Sequence, residues 1–212
     1  MKNDKIFIYK FEELIFSSKN VGYLCVVITT KVGDKGKTAI LFGHMISKSH
    51  PLLDISGSVD ELNSALGIAR ANVVAPGLKQ DLLYVQRKLF VLGSEVATKK
   101  EDFEKLKTTI SKEDVENVEK EISSLEKYND LDNWFIPGES PSSAYIEHAR
   151  TIARRLERRL WQHEHHNDHA NVYLNRLSDY LWLLAQREEY YLRGIEKTST
   201  QSNDTSTQST IF

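Results

Sequence analysis

The sequence Arg-Thr-Ile-Ala-Arg-Arg-Leu-Glu-Arg-Arg at residues 150–159 decides the fold and indicates where the chemistry lies. Around it, apolar residues recur at spacings of three and four, the pattern of a helix with one face in a core. This stripe consists of Tyr145, Ala149, Ile152, Leu156 and Leu160. We predict a core-facing helix that begins near Pro141, because proline is favoured in the first helical turn.

The charged residues of this helix fall into two groups. Arg150, Arg154 and Glu157 lie together at the border of the apolar stripe, whereas Arg155 and Arg159 are expected to face solvent. Arginines four residues apart repel each other, and a guanidinium fork matches phosphate oxygens. The border group therefore indicates an anion site, and the alternative is a solvated basic face that pairs with nearby glutamates.

Four other stretches have the same helical period. Ser58 with Glu61 predicts a capping box for the first of them, and Pro76-Gly77 ends it. Ser111 with Asp114 predicts the start of another helix. In chain order the apolar stripes are Val59, Leu62, Leu66 and Ala69; Leu78, Leu82, Val85, Leu89, Leu92 and Val96; Val115, Val118, Ile122 and Leu125; and Tyr173, Leu177, Leu181 and Leu184.

Five helices with mostly short connections predict an all-α fold, an up-and-down five-helix bundle of ferritin-like type. An irregular segment rich in Gly, Lys and Thr precedes the first helix. We divide the chain into an N-terminal extension (1–24), a helical domain (25–196) and a disordered tail (197–212), since the tail is rich in Ser, Thr and Gln.

Composition excludes several classes of protein. A net charge of −2 does not suit a general nucleic-acid binder, and no apolar run reaches membrane-spanning length. The single cysteine, Cys25, excludes an internal disulfide framework and a cysteine-rich zinc site. The N-terminus lacks the basic start and apolar block of a signal peptide. We expect a cytoplasmic protein.

The segment from Gly33 to Thr38, Gly-Asp-Lys-Gly-Lys-Thr, is a candidate phosphate-binding loop, in which backbone N–H groups and lysines surround phosphates. A P-loop would need glycine at the position of Lys31, so that pattern fails. An ordinary turn is the alternative interpretation.

Other polar residues allow weaker hypotheses. One polar break between helices could form a metal site, although nothing in the sequence fixes its geometry. Its candidate ligands are His163, His165, His166, Asp168 and His169. Asn175 and Asp179 lie one turn apart on one helix face, where they suit a ligand or a helix–helix contact. Asp60 lies off its apolar stripe and is either plain surface or a partner for an arginine across an interface.

In order along the chain, seven blocks resemble the PduO-type cobalamin adenosyltransferase family, roughly over residues 29–187. No single block is decisive, but seven in the family's order are specific. The blocks are residues 30–38, 46–48, 57–67, 86–93, 135–138, 149–159 and 173–179. The chain departs from the family pattern at Lys31-Val32, where Arg-Thr is usual, and at Glu139, where a second glycine is usual.

The resemblance implies a helical bundle that forms a homotrimer with active sites between subunits. It implies transfer of the 5′-deoxyadenosyl group of ATP to the cobalt of cob(I)alamin, giving adenosylcobalamin and triphosphate. ATP with Mg²⁺ or another divalent cation and the reduced corrinoid are the expected ligands, and a cobalamin-dependent acceptor enzyme is a further expected partner. A non-catalytic nucleotide-binding bundle and a purely structural bundle are the alternatives.

The resemblance also assigns roles to residues. The loop that folds over ATP includes Thr30, Gly33, Asp34, Gly36 and Thr38. Positions that hold the nucleotide or its metal are Lys48, Arg154, Glu157 and Asn175, with Glu157 as the metal ligand. Asp60 and Arg150 match an ion pair across the subunit interface, and the expected catalytic set is Asp60, Arg150, Arg154 and Glu157.

One aromatic residue of the loop 129–140 is expected to face the corrinoid. The spacing to Arg150 favours Trp134 over Phe135. The other ring is then expected to anchor the loop in the bundle.

Overall fold

The computed structural model describes residues 31–128, 135–163 and 167–194 of the chain. It contains five long helices: α1 (Pro51–Asn72), α2 (Leu78–Val96), α3 (Lys112–Leu125), α4 (Pro141–Trp161) and α5 (Asp168–Leu192). The prediction of an all-α five-helix bundle is confirmed. None of the helices in these ranges is long and apolar enough to cross a membrane. The proposed extension (1–24) and tail (197–212) lie outside the described residues, and the domain division remains a prediction.

The arginine-rich helix α4 occupies a central position in the bundle. It packs against both α1 and α5, while α2 packs on α1 and α3 packs on α5. Only residues 162–167 connect α4 to α5, so these two neighbours run antiparallel. Helix α4 begins at Pro141 as predicted, with Ser140 as its N-cap.

The predicted apolar stripes form the core, with two exceptions. Ile122 is partly buried and packs at the edge of the core. Tyr145 is 37% exposed, so placing it in the α4 stripe was wrong; Ile146, one position on, is fully buried instead. A helix advances 100° per residue, and a stripe extended by one further turn easily drifts off the core face.

Helix α1 begins earlier than the sequence pattern predicted. It starts at Pro51, and the His50 Nδ1 accepts a hydrogen bond from the Leu52 N–H at 3.2 Å. Ser58 is buried in the middle of the helix, and its hydroxyl donates to the Asp54 carbonyl at 2.6 Å. The predicted capping box at Ser58 was therefore wrong. The one predicted at Ser111 and Asp114 is present at the start of α3.

Ahead of α1, the segment expected to be irregular contains a small hairpin. Strand β1 (Lys37–Ala39) pairs antiparallel with β2 (Met45–Ser47), with Thr38 opposite Ile46. A short 3₁₀ turn, Val32–Lys35, precedes β1, and another, Leu41–Gly43, connects the strands. We call residues 31–48 the N-terminal hairpin.

Buried polar side chains hold the connections between helices. The Glu188 carboxylate on α5 accepts hydrogen bonds from the Val74 and Ala75 N–H groups, with oxygens 3.0 and 2.9 Å away. The Asn167 amide donates to a Glu95 oxygen at 2.9 Å and to the Ile110 carbonyl at 2.8 Å. Buried polar groups that are satisfied in this way fix the geometry of the loops between helices.

Candidate active site

The candidate phosphate loop is closed by the last residue of the N-terminal hairpin. The Lys48 N–H donates to the Gly36 carbonyl at 2.9 Å. A Cβ placed on Gly33 would lie 2.9 Å from the Lys48 Nζ, so the ammonium group rests against the Gly33 backbone. Gly36 has φ +72°, a left-handed conformation that favours glycine. The loop therefore favours glycine at position 36 for its backbone conformation, whereas a side chain at position 33 would displace the Lys48 ammonium.

The charge of this loop is mostly positive and accessible. Exposed lysines on the hairpin are Lys31, Lys35, Lys37 and Lys48, and Asp34 is exposed beside them. Thr38 is half-buried on β1. An accessible group of lysines around two glycines suits a polyphosphate. Thr30, the first residue expected in this loop, lies outside the described residues.

Arg150 has two partners within the chain. Its Nε donates to both Glu147 carboxylate oxygens at 2.9 and 3.0 Å, and its guanidinium lies 5.5 Å from the Trp182 ring centroid. Burial raises the pKa of the Glu147 carboxyl above its usual value, while the charge of Arg150 acts to lower it. Arg150 is thus held in place at the edge of the core.

One turn further on, Arg154 has a different environment. It is exposed, and its guanidinium makes no hydrogen bond or ion pair with any residue that the structure describes. Glu157 is half-buried, and its Oε1 accepts a hydrogen bond from the Trp161 indole N–H at 3.2 Å. A guanidinium and a carboxylate are thus available side by side on the surface of α4.

The prediction that Arg155 and Arg159 face solvent was wrong. Arg155 forms an ion pair with Glu61 on α1. Arg159 donates to the Ser58 hydroxyl and, at 3.4 Å, to the Asp54 carbonyl. These partners come from a helix some 100 residues earlier, so periodicity within α4 could not indicate them. Both arginines hold α4 against α1.

Asn175 lies on α5, close to the level of Glu157. The contact between Arg150 and Trp182 joins α4 to α5. Glu157 is seven residues after Arg150, and Asn175 is seven residues before Trp182. Since the helices are antiparallel, two turns along each brings these side chains to the same height. Asn175 is exposed, and its Oδ1 accepts a hydrogen bond from Arg176 at 3.2 Å.

Asp60 does not meet Arg150 within the chain. It is exposed on α1, in a shallow cavity that it shares with Asn63 and Phe90. Among the residues that the structure describes, its carboxylate has no hydrogen-bond or ion-pair partner. The Asn63 side-chain oxygen beside it is buried and unpaired in the same sense. An arginine from outside this chain would suit both groups.

The aromatic loop contributes one well-placed ring. Phe135 is partly buried, and it packs edge-to-face on Trp182 with ring centroids 5.3 Å apart. Trp134 lies outside the described residues. The interpretation of Phe135 as the ring that anchors the loop agrees with this contact.

The histidine-rich break contains no metal site within the described ranges. No group of three or more His, Cys, Asp or Glu side chains there could hold a metal ion. His163 meets the His50 ring edge-on, with centroids 6.1 Å apart. His165 and His166 lie outside the described residues.

The site residues form two surfaces, and no hydrogen bond or ion pair between described residues joins them. The hairpin surface contains Gly33, Asp34, Gly36, Thr38 and Lys48. The helix surface contains Arg150, Arg154, Glu157 and Asn175. The hairpin packs near Leu160 and His163, which line one cavity with Ile40 and Ile46. Leu160 points about 60° away from Glu157 around α4, and His163 lies beyond the end of that helix, so the hairpin covers a different side of the helix.

Sequence analysis did not single out Trp182, which contacts Arg150 on α4 and Phe135 of the aromatic loop. The available signal was its position on α5, seven residues after Asn175 and therefore on nearly the same side of the helix. It was hidden because an aromatic residue at helical spacing usually belongs to the core.

Comparison with known proteins identifies relatives over most of the chain. It is 39% identical over 166 residues to a corrinoid adenosyltransferase of Citrobacter freundii, matching 76% of this chain and 94% of that protein. It is 34% identical over 169 residues to the corrinoid adenosyltransferase PduO of the same organism. That match covers 78% of this chain but only 50% of the relative.

A solved structure agrees with this result. A phenylalanine-to-alanine variant of the PduO-type ATP:corrinoid adenosyltransferase from Lactobacillus reuteri, complexed with cobalamin and ATP, is 32% identical to this chain. The TM-score is 0.70, and the match covers 79% of this chain and 95% of that one. The family model for cobalamin adenosyltransferases matches residues 28–188, and the chain therefore belongs to the cobalamin adenosyltransferase family.

Proposed function

We propose that this chain transfers the 5′-deoxyadenosyl group of ATP to the cobalt of cob(I)alamin. Cobalt(I) supplies the electron pair of the new Co–C5′ bond. The C5′–O bond breaks, and triphosphate leaves with the electron pair of that broken bond. Family membership over residues 28–188 supports the reaction, as does the similar structure that binds both cobalamin and ATP.

The observation that carries the proposal is the contact between Lys48 and Gly33. A leaving triphosphate gains negative charge as the C5′–O bond breaks, and fixed cations stabilise that charge. In the hairpin an ammonium group rests on a glycine backbone, which allows phosphate oxygens to approach closely. Asp34, Gly36 and Thr38 complete this surface, and Thr30 precedes it in the sequence.

The helix surface supplies the complementary groups. Arg154 has an accessible guanidinium that suits two phosphate oxygens, and Asn175 is available for the nucleotide. The Glu157 Oε1 is occupied by the Trp161 indole, which leaves Oε2 for a divalent cation such as Mg²⁺. Magnesium in nucleotide complexes takes one or two carboxylates together with phosphate oxygens and water, so one glutamate suits this role.

We propose further that each active site forms between two chains of a homotrimer. The hairpin and helix surfaces lie on different sides of α4, so one chain alone does not present both to the same ATP. In the trimer, Asp60 of one subunit would pair with Arg150 of the next. The exposed, unpaired carboxylate of Asp60 supports this arrangement.

On the corrinoid side, we propose that Trp134 faces the lower side of the corrin. A lower axial ligand donates electrons to cobalt and hinders its reduction, and an aromatic side chain in that space keeps the ligand away. The anchoring of Phe135 on Trp182 supports the choice, because it gives Phe135 the anchoring role and leaves Trp134 for the corrinoid.

A cytoplasmic location and a cobalamin-dependent acceptor enzyme belong to the same proposal. Cob(I)alamin requires reducing surroundings and the reaction requires ATP, and the cytoplasm supplies both. An acceptor enzyme would receive the product directly, which protects its reactive Co–C bond.

The second candidate function is nucleotide binding without catalysis, which the same phosphate-binding surfaces would also support. Calorimetry with ATP separates both candidates from a purely structural bundle. The decisive experiment adds ATP and protein to chemically reduced cob(I)alamin and follows the corrinoid spectrum. Formation of adenosylcobalamin supports the enzyme, whereas ATP binding without a spectral change supports the second candidate.

A further inference from the structure

The N-terminal hairpin has little apolar contact to hold it on the bundle. Among the side chains described between residues 31 and 48, that of Ile40 is the one buried below a tenth of its surface, at 8% exposure. Ile46 is partly buried, and Met45 is 48% exposed. A segment with so few buried apolar groups needs specific polar contacts to keep one position.

Such contacts are concentrated at the turn of the hairpin. The His44 Nε2 lies 2.5 Å from the Asp102 Oδ2, in the 3₁₀ segment Lys100–Lys105 that follows α2. The other oxygen of Asp102 receives the Lys105 ammonium, which also lies 5.4 Å from the centroid of the Phe42 ring. Asp102 is 5% exposed, so its two partners replace most of its contact with water.

A backbone hydrogen bond also holds this cluster on the bundle. The Leu41 N–H donates to the Ala97 carbonyl at 3.0 Å, which fixes the turn against the end of α2. The hydrogen bonds that Asp102 accepts from Lys105 and His44 lower its pKa, which favours the ionised carboxylate that both side chains contact. The turn therefore has a charged attachment to the bundle.

The hairpin transmits the position of the turn to the phosphate loop. Next to the turn, the Ile40 N–H donates to the His44 carbonyl at 2.9 Å. At the far end, the Lys48 N–H donates to the Gly36 carbonyl, also at 2.9 Å. Three residue pairs of β1 and β2 lie between these bonds. A ladder closed at both ends moves as one unit, so displacing His44 displaces Lys48.

We infer that the His44–Asp102 pair sets the position of Lys48 and the glycine loop. His44 and Asp102 are thus positioning residues for ATP binding. The inference rests on the proposed function, since it assigns the ATP phosphates to the hairpin. Neither side chain contacts the substrates in this scheme. Their effect is to reduce the conformational freedom that the loop would otherwise lose when ATP binds.

The test compares His44→Gln, Asp102→Asn and the double variant with a matched control. Glu101→Gln removes a charge from the same segment, where Glu101 is exposed and lies 3.8 Å from Lys99. We expect the KM for ATP to rise about tenfold in each single variant, as for the loss of one charge-assisted hydrogen bond. The kcat at saturating ATP and the KM for cob(I)alamin should stay unchanged. The control should match the wild type.

Two further measurements separate positioning from a general loss of structure. The double variant should be no worse than the poorer single variant, because the two residues act through one contact. Hydrogen exchange of residues 37–47 without nucleotide should be faster in His44→Gln, while that of α4 and α5 should not change. This second measurement does not depend on ATP.

Several results would overturn the inference. An unchanged KM for ATP in both single variants would do so, and so would additive effects in the double variant. If Asp102→Asn lowers kcat, thermal stability and ATP affinity together, Asp102 is a general structural residue. His44→Gln, on the partly exposed hairpin, tests the positioning role independently of that outcome. If wild-type protein shows no ATP binding, the proposed function fails. Exchange in the hairpin then still shows whether the pair anchors it.

Discussion

The Phe135 ring packs edge-to-face against Trp182 with centroids 5.3 Å apart, and the guanidinium of Arg150 lies over the same indole at 5.5 Å. Trp182 therefore joins the aromatic loop, α4 and α5. Phe135 is partly buried by this contact, which suits a ring that anchors the loop. This relationship assigns different roles to the two neighbouring aromatic residues.

Trp134→Ala should lower turnover with cob(II)alamin and a reductant by more than about tenfold, roughly 1.4 kcal/mol of barrier. ATP affinity should hardly change, and the defect should shrink with preformed cob(I)alamin. Phe135→Ala is the matched comparison. It should instead lower stability by about 2 kcal/mol, less than for a fully buried phenylalanine. If Phe135→Ala gives the selective kinetic defect, the assignment of this loop is displaced by one residue.

Arg154→Lys should raise the KM for ATP and lower turnover, because lysine keeps the charge but loses the two-pronged donor. Steady-state kinetics with varied ATP measure this. Arg158→Ala is a suitable control, since Arg158 is exposed one turn away and donates to the Arg154 carbonyl at 3.2 Å. Unchanged kinetics in Arg154→Ala, as expected for Arg158→Ala, would place the arginines of this helix in solvent.

Gly33→Ala should weaken ATP binding more than it weakens the fold. A methyl group on Gly33 would meet the Lys48 ammonium at 2.9 Å and push this flexible side chain off the loop. Gly57→Ala is the control, because an added Cβ there meets nothing within 4 Å. Calorimetry should show weaker binding for Gly33→Ala alone.

In the wild type, hydrogen exchange of residues 31–38 should slow when ATP is added, and identical exchange would exclude the loop from binding.

The buried carboxyl of Glu147 predicts a pH dependence of stability. Burial raises its pKa in the folded protein above the ordinary 4.5, even with Arg150 beside it. The folded state then binds the extra proton, so this contribution to stability is complete below pH 4.5 and is lost as pH rises through the folded pKa. We expect Glu147→Gln to gain stability relative to the wild type as pH rises from about 4.5 to 7.

Chemical denaturation at several pH values checks this, with Arg150→Ala for comparison. That variant leaves the buried carboxylate without its cation and should cost about 1–3 kcal/mol at pH 7. Combining it with Glu147→Gln should recover most of the loss. A constant difference between Glu147→Gln and the wild type across the whole range would contradict the expectation.

Asp60→Ala is the cleaner test of the proposed interface, because Asp60 has no partner within the described part of the chain, whereas Arg150 has two. We expect a weaker trimer and lower activity with unchanged thermal stability of the single chain. Removing one partner of a close interfacial charge pair typically costs about 2–5 kcal/mol of association. If sedimentation shows that the wild-type protein is a fully active monomer, the proposed trimer is wrong.

Most of the helical architecture could be predicted from periodicity. The six stripe residues of α2 are all buried, because each apolar spacing of three or four matches the helix repeat. The start of α1 could not be recognised from a capping box, since a histidine caps it and Ser58 is used inside the helix. Pro51 was the signal that indicated the true start.

Contacts between distant segments were beyond sequence reasoning. Glu61 and Ser58 receive the α4 arginines only because α1 and α4 are packed together. The same holds for His44 and Asp102, which are 58 residues apart. Strands of three residues are also too short for an alternating pattern to be recognised. The site residues themselves were recognised by resemblance, and the structure sorted them into two surfaces.

Asn175 and Trp182 lie on one helix, which fixes the distance between the proposed nucleotide side and the proposed corrinoid side. Seven residues of α5 separate them, which is about 10 Å along the axis and nearly two whole turns. A continuous helix is stiff, so in the proposed site the interval between nucleotide and corrinoid would follow from the geometry of α5. Inserting one residue between them would turn one side about 100° from the other. Each substrate could still bind, but cobalt and C5′ would no longer face each other.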